Sequence, residues 1–81
     1  MIQAEEIKQC IESNLPNSIA IIEGDDGVHF DAVVISIEFT DKSLVKRQQL
    51  VYAALGDWIT SGKLHALALR TLTPAQWNEE Q

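Results

Sequence analysis

TDKSLVKRQQLVYAALGDWITSGK, residues 40–63, separates two apolar runs that each read as a strand. Leu44, Gln48, Val51, Tyr52, Leu55, Trp58 and Ile59 recur in it at the spacing of one helical face. Thr40, Asp41 and Ser43 are each suited to cap the start of this helix, and Ser61-Gly62 ends it. Gly56 falls inside the pattern, where glycine costs about 1 kcal/mol relative to alanine, so it bends the helix or divides it. A connection of this length that carries a helix joins parallel neighbours in a sheet, with a right-handed βαβ unit as the expected result. The strands on either side of it should therefore start at the same end of the sheet.

Those strands are residues 29–37, HFDAVVISI, and residues 64–72, LHALALRTL. Upstream, residues 18–23 read SIAIIE, rich in β-branched side chains, and Gly24-Asp25-Asp26-Gly27 connects them to the next strand as a hairpin. The acidic pair in that turn lacks the D-x-[DN]-x-[DN]-G calcium pattern and reads as a solvated turn. Ala4, Ile7, Ile11 and Leu15 form the apolar stripe of a first helix, stopped by Leu15-Pro16-Asn17. Thr73-Pro74-Ala75-Gln76 opens a short closing helix with a capping box and proline at its first position. The order is αββαβα: an α+β chain, one domain over residues 1–81, with a three-stranded mixed sheet packed against helices.

Composition narrows the function classes. A chain of 81 residues with 46% hydrophobic and 22% charged content has room for one core and no signature of disorder. Cys10 is the single cysteine; it cannot form an internal disulfide and reads as a packing residue, which favours a reducing, cytoplasmic home. No stretch is long and apolar enough to span a bilayer, and the first residues lack the basic start of a signal peptide. The net charge of −6 weighs against nucleic acid as the default partner. Lys42, Lys46 and Arg47 nevertheless make a local basic stripe at the start of the crossover helix, for which a solvated helical face is the simpler account. No GxSxG elbow, phosphate loop, HExxH or CxxC is present, and the expectation is a protein that is not an enzyme.

The two histidines of the chain, His29 and His65, stand at the starts of the two strands that the crossover makes parallel. Topology thus brings both to one end of the sheet, beside the turn at residues 24–27. Imidazole nitrogens are common metal ligands near neutral pH, yet from topology alone a pair of solvated strand-end histidines with no partner is the simpler reading. Two imidazoles do not complete a tetrahedral site, and Cys10 on the first helix is not placed to help. A metal held here needs further ligands from another molecule.

Three stretches carry a family resemblance: VHFDAVVIS, FTDKSLVKRQQLVY at residues 39–52, and LHALALRTLTPAQW at residues 64–77. Over nearly the entire chain they resemble the BolA family, most closely its bacterial acid-stress branch. The HALAL run opening at His65 and the T-x-T-P-A-x-W ending of Thr71, Thr73, Pro74, Ala75 and Trp77 are its most specific marks. The family signature FxGKxxxxRHR is altered here: Asp41 stands where glycine is usual, and Gln48-Gln49 replaces His-Arg, a mark of that branch.

The resemblance implies a class II KH-like fold and partnership with a monothiol glutaredoxin around a shared [2Fe-2S] cluster. The cluster is held together with glutathione, and none is expected in the isolated protein. His65 matches the family's near-invariant ligand. The second ligand, a His or Cys of the loop between the first two strands, is assigned to His29. Histidine in place of a thiolate raises a cluster's potential, so the implied role is cluster transfer, repair or sensing. A second expectation is a nucleic-acid-binding transcriptional regulator of the KH type, contacting phosphate through Lys42, Lys46 and Arg47. Gly24-Asp25-Asp26-Gly27 has the letters of the KH GXXG loop, but its charges repel phosphate. A third is a homodimer or docking module active in a stress response.

Overall fold

The computed structural model describes residues 2–24, 26–64 and 66–81; Met1, Asp25 and His65 lie outside the described residues. The elements follow the expected order: α1 (Ala4–Asn14), β1 (Ser18–Glu23), β2 (His29–Ser36), a 3-10 turn (Ile37–Phe39), α2 (Leu44–Leu55), α3 (Asp57–Thr60), β3 (Ala66–Leu72) and α4 (Pro74–Glu80). The sheet order is β1-β2-β3, with β1 antiparallel to β2 and β3 parallel to it. The long crossover therefore does what its length requires. His29 is the register partner of Ala66, and Ile35 that of Leu72.

Alternate residues of the strands point to one side, where Ala20, Phe30 and Val34 meet Ile7, Ile11 and Leu15 at α1 and Val51, Ala54 and Leu55 of α2. Phe39 is the largest fully buried side chain. It enters the core because the chain leaves β2 one residue before the expected end: the Ser36 hydroxyl accepts the Glu38 N–H and starts the 3-10 turn. Ala54 lets the two long helices approach closely enough for the Cys10 thiol to donate to its carbonyl at 3.5 Å.

Of the three suggested caps for α2, Ser43 serves: its Oγ accepts the Lys46 N–H. The buried face of this helix differs from the one its apolar spacing predicts. Arg47, Val51, Ala54 and Leu55 are buried, whereas Leu44 is 66% exposed and Gln48 and Tyr52 face solvent. Arg47 takes the inner position because its guanidinium finds three acceptors there: the Lys42 and Thr71 carbonyls and Gln76 Oε1. Gly56, at φ +57°, divides α2 from α3.

Asp41 has φ +62°, the left-handed region in which a side chain costs roughly 1–2 kcal/mol and which glycine enters freely. Aspartate is among the least unfavourable replacements there. We expect Asp41→Gly to leave stability unchanged or raised and Asp41→Val to lower it by about 1–2 kcal/mol, read from urea unfolding midpoints.

β1 is an edge strand, and α1 guards its middle. Glu12 accepts the Ala20 N–H at 2.9 Å while Lys8, paired with Glu12 at 2.6 Å, donates to the Ala20 carbonyl at 3.1 Å. The Ala20 N–H, followed by the Lys8 ammonium, holds the Glu12 carboxyl below its usual pKa. A depressed folded-state pKa adds stability above the ordinary glutamate range, and that increment disappears as pH falls through the lowered value. Glu12→Gln should therefore cost about 1 kcal/mol at neutral pH and progressively less on acidification, as measured by urea denaturation across a pH series.

Candidate metal-ligand site at the start of the parallel strands

Gly24 and Gly27 bracket the β1–β2 turn, and the first of them passes against the strand it feeds. A Cβ on Gly24 would lie 2.6 Å from both the His29 carbonyl oxygen and Phe30 Cδ1. Without a side chain at Gly24 the turn folds onto the start of β2, with Phe30 buried below and His29 projecting on the opposite side.

Asp26 organises that start. Its Oδ1 accepts the N–H groups of Val28 and His29, both at 2.8 Å, and its Oδ2 lies 2.9 Å from His29 Nδ1. The His29 N–H, then its imidazole, then the Val28 N–H hold Asp26 far below the usual carboxylate range. An ionised carboxylate can only accept, so Nδ1 carries a hydrogen; in the neutral ring that leaves the lone pair on Nε2. The imidazole is 74% exposed. A carboxylate on one ring nitrogen and an open lone pair on the other is how metal-binding histidines are oriented and made more basic. Sequence reading identified His29 but saw Asp26 as part of a solvated turn. The signal was present in the D-x-x-H spacing, because an Asp side chain habitually bonds backbone N–H groups two and three residues on.

β3 begins its described length at Ala66, beside His29, and His65 is the preceding residue of the chain, outside the described residues. Two further carboxylates lie close in register, Glu23 opposite Asp31. Among the described residues no three His, Cys, Asp or Glu side chains converge as a metal site. Cys10 lies on α1 with its thiol on the Ala54 carbonyl, so it takes no part at this end.

The residues expected to contact phosphate do not share one environment. Lys42 donates to the Glu38 carbonyl at 2.7 Å, Lys46 is exposed, and Arg47 is buried, which corrects its assignment to a solvated face.

Residues 4–76 match the family model described as "BolA-like protein". The chain belongs to the BolA-like family. It is 34% identical over 74 residues to the acid stress protein IbaG of Escherichia coli K12, covering 88% of each chain. Among solved structures, a BolA protein homologue from Coxiella burnetii superposes with a TM-score of 0.87 at 43% identity, covering 96% of this chain and 99% of that one. The BolA domain of SufE1 from Arabidopsis thaliana gives 0.73 at 36% identity, over 89% and 92% of the two chains. The α+β architecture with its three-stranded mixed sheet is thus a BolA fold. No helix among the described residues is long and apolar enough to cross a membrane.

The Asp26 contact makes a tautomer prediction. Above about pH 8, where an ordinary imidazole is neutral, nitrogen NMR should find His29 hydrogenated at Nδ1. Asp26→Ala should shift the ring toward the Nε2–H form; an unchanged tautomer would show that the carboxylate does not orient the ring.

Proposed function

We propose that this BolA-like protein is an iron–sulfur accessory protein that binds a monothiol glutaredoxin and shares a [2Fe-2S] cluster with it, in a cytoplasmic stress response. The observation that carries the reading is the His29 imidazole, held through Nδ1 by Asp26 with Nε2 open, in register with the residue that follows His65. Its likeness to an acid stress protein supports the stress-related setting.

In this reading His29 and His65 each supply one imidazole nitrogen, and the glutaredoxin and its glutathione supply sulfur ligands. Mixed nitrogen and sulfur ligation raises a cluster's potential relative to all-thiolate ligation. The chain's own contributions are positional. Asp26 selects the ligating nitrogen of His29, Gly24 lets the turn close onto β2, and the parallel register fixes the spacing of the strand starts. The protein supplies ligands and acts without catalysing a covalent step.

Titrating the protein into a cluster-loaded monothiol glutaredoxin should change the visible absorption and circular dichroism of the cluster. His65→Ala and His29→Ala, tested separately, should each abolish the change. Identical spectra with wild type and His65→Ala would overturn the proposal, and a change that survives His29→Ala alone would remove His29 from the ligand set.

A further inference from the structure

The two edges of the sheet are treated differently. On β1 the Ala20 N–H is bonded to Glu12, so it points away from β2. Ala20 pairs with Val34, and in an antiparallel ladder the backbone groups of Val34 must then also point away from β1, toward β3. Phe30 and Ala32 follow by the two-residue repeat. In the parallel ladder they bond the residues flanking their register partners Leu67, Leu69 and Thr71, which leaves the N–H and C=O groups of those three on the free edge of β3. The Thr71 carbonyl confirms the direction independently, because it accepts from Arg47 rather than from β2. Among the described residues nothing caps Leu67 or Leu69, in contrast to the guarded Ala20.

A groove of about 310 Å³ runs beside this edge, lined by Leu44, Arg47 and Gln48 of α2, the end of β3, and Gln76 of α4. Arg47 is the unusual member. It is 93% buried, since its relative exposure is 7%, and each of its three bonds goes to a neutral acceptor. A buried cation is normally neutralised, because desolvation of an uncompensated charge is costly. Nη2 has no acceptor among the described residues, and no buried side-chain nitrogen or oxygen atom lacks a partner, so Nη2 opens outward at the groove. Leu44, which belongs to the apolar pattern of α2 yet is exposed, lies on the same groove.

We propose that the groove receives an extended acidic segment of a protein partner, which adds as a fourth strand to β3 and places a carboxylate on Arg47. Backbone pairing at Leu67 and Leu69 supplies the geometry, Leu44 accepts an apolar side chain, and the Arg47 guanidinium selects the negative charge. Thr71 lies five residues along β3 from Ala66, roughly 16 Å at strand spacing, so the groove is separate from the His29 site. A phosphate backbone would satisfy Arg47 as well, but it lacks the alternating N–H and C=O groups that the edge presents.

The test uses the full chain and a terminally blocked pentapeptide of alternating threonine and valine with a central glutamate. Saturable NMR shifts at the amides of Leu67, Leu69 and Thr71, with slowed hydrogen exchange at Leu67 and Leu69, are expected. Glutamine in place of the glutamate should weaken binding about tenfold, the loss of one charge-assisted contact. N-methylation of the peptide backbone should abolish it. Three results would overturn the proposal: no saturable shift, shifts confined to the turn at residues 24–27, or shifts at β3 produced by oligothymidylate and not by the peptide.

Discussion

The parallel pairing of β2 with β3 is the constraint from which the rest follows. Parallel neighbours cannot be joined by a tight turn, so the chain must cross a face of the sheet and return, and α2 is the element that makes the crossing. Its inner face then has to fill the space beneath Phe30 and Val34, which Val51, Ala54 and Leu55 do. The same pairing sets the start of β2 beside the start of β3 and leaves β3 at an edge. The placement of His29 beside the start of β3 at one end and an open backbone ladder along the side are therefore consequences of one topological choice.

Elements defined by local chemistry were legible from the letters. The limits of β1, the antiparallel pairing of β1 with β2 and the Thr73-Pro74-Gln76 capping box rest on interactions within a few residues and stand where the sequence put them, while of the three caps offered for α2 it is Ser43 that serves. The inner face of α2 was not legible. Apolar spacing gives Leu44, Gln48 and Tyr52 equal claim with Val51 and Leu55, because a helical stripe has no marker for which edge meets the sheet. The decision came from Arg47, two of whose three acceptors lie on residues 24 and 29 positions away in the chain, beyond any local window. His29 was found as a candidate; the role of Asp26 was not, since a turn residue and an orienting residue look the same until the hydrogen bonds are drawn.

Arg47 also shows why the basic stripe at the start of α2 misleads as a charge pattern. Three cations within six residues of sequence become one tethered to a carbonyl, one in solvent and one buried. The buried one ties three elements together, through the Lys42 carbonyl before α2, Thr71 of β3 and Gln76 of α4, while the planar guanidinium also lies 5.9 Å from the Phe39 ring centroid. A lysine at this position would bring a point charge in place of a planar fork and could not satisfy all of these geometries at once.

Net charge, the coarsest electrostatic descriptor, hides the arrangement that matters. At −6 the chain as a whole repels anions, and the acidic groups around the turn, Glu23, Asp26 and Asp31, do so locally while favouring a cation beside His29. The other end of β3 carries Arg47, whose acceptors among the described residues are all neutral. A separation of roughly 16 Å along a strand is about twice the Debye length at physiological ionic strength, so exposed charges at one end are largely screened from the other. The exposed carboxylates around the turn are therefore weakly felt along the solvent side of the Arg47 groove, and the two ends of the sheet differ in electrostatic character on a single small fold.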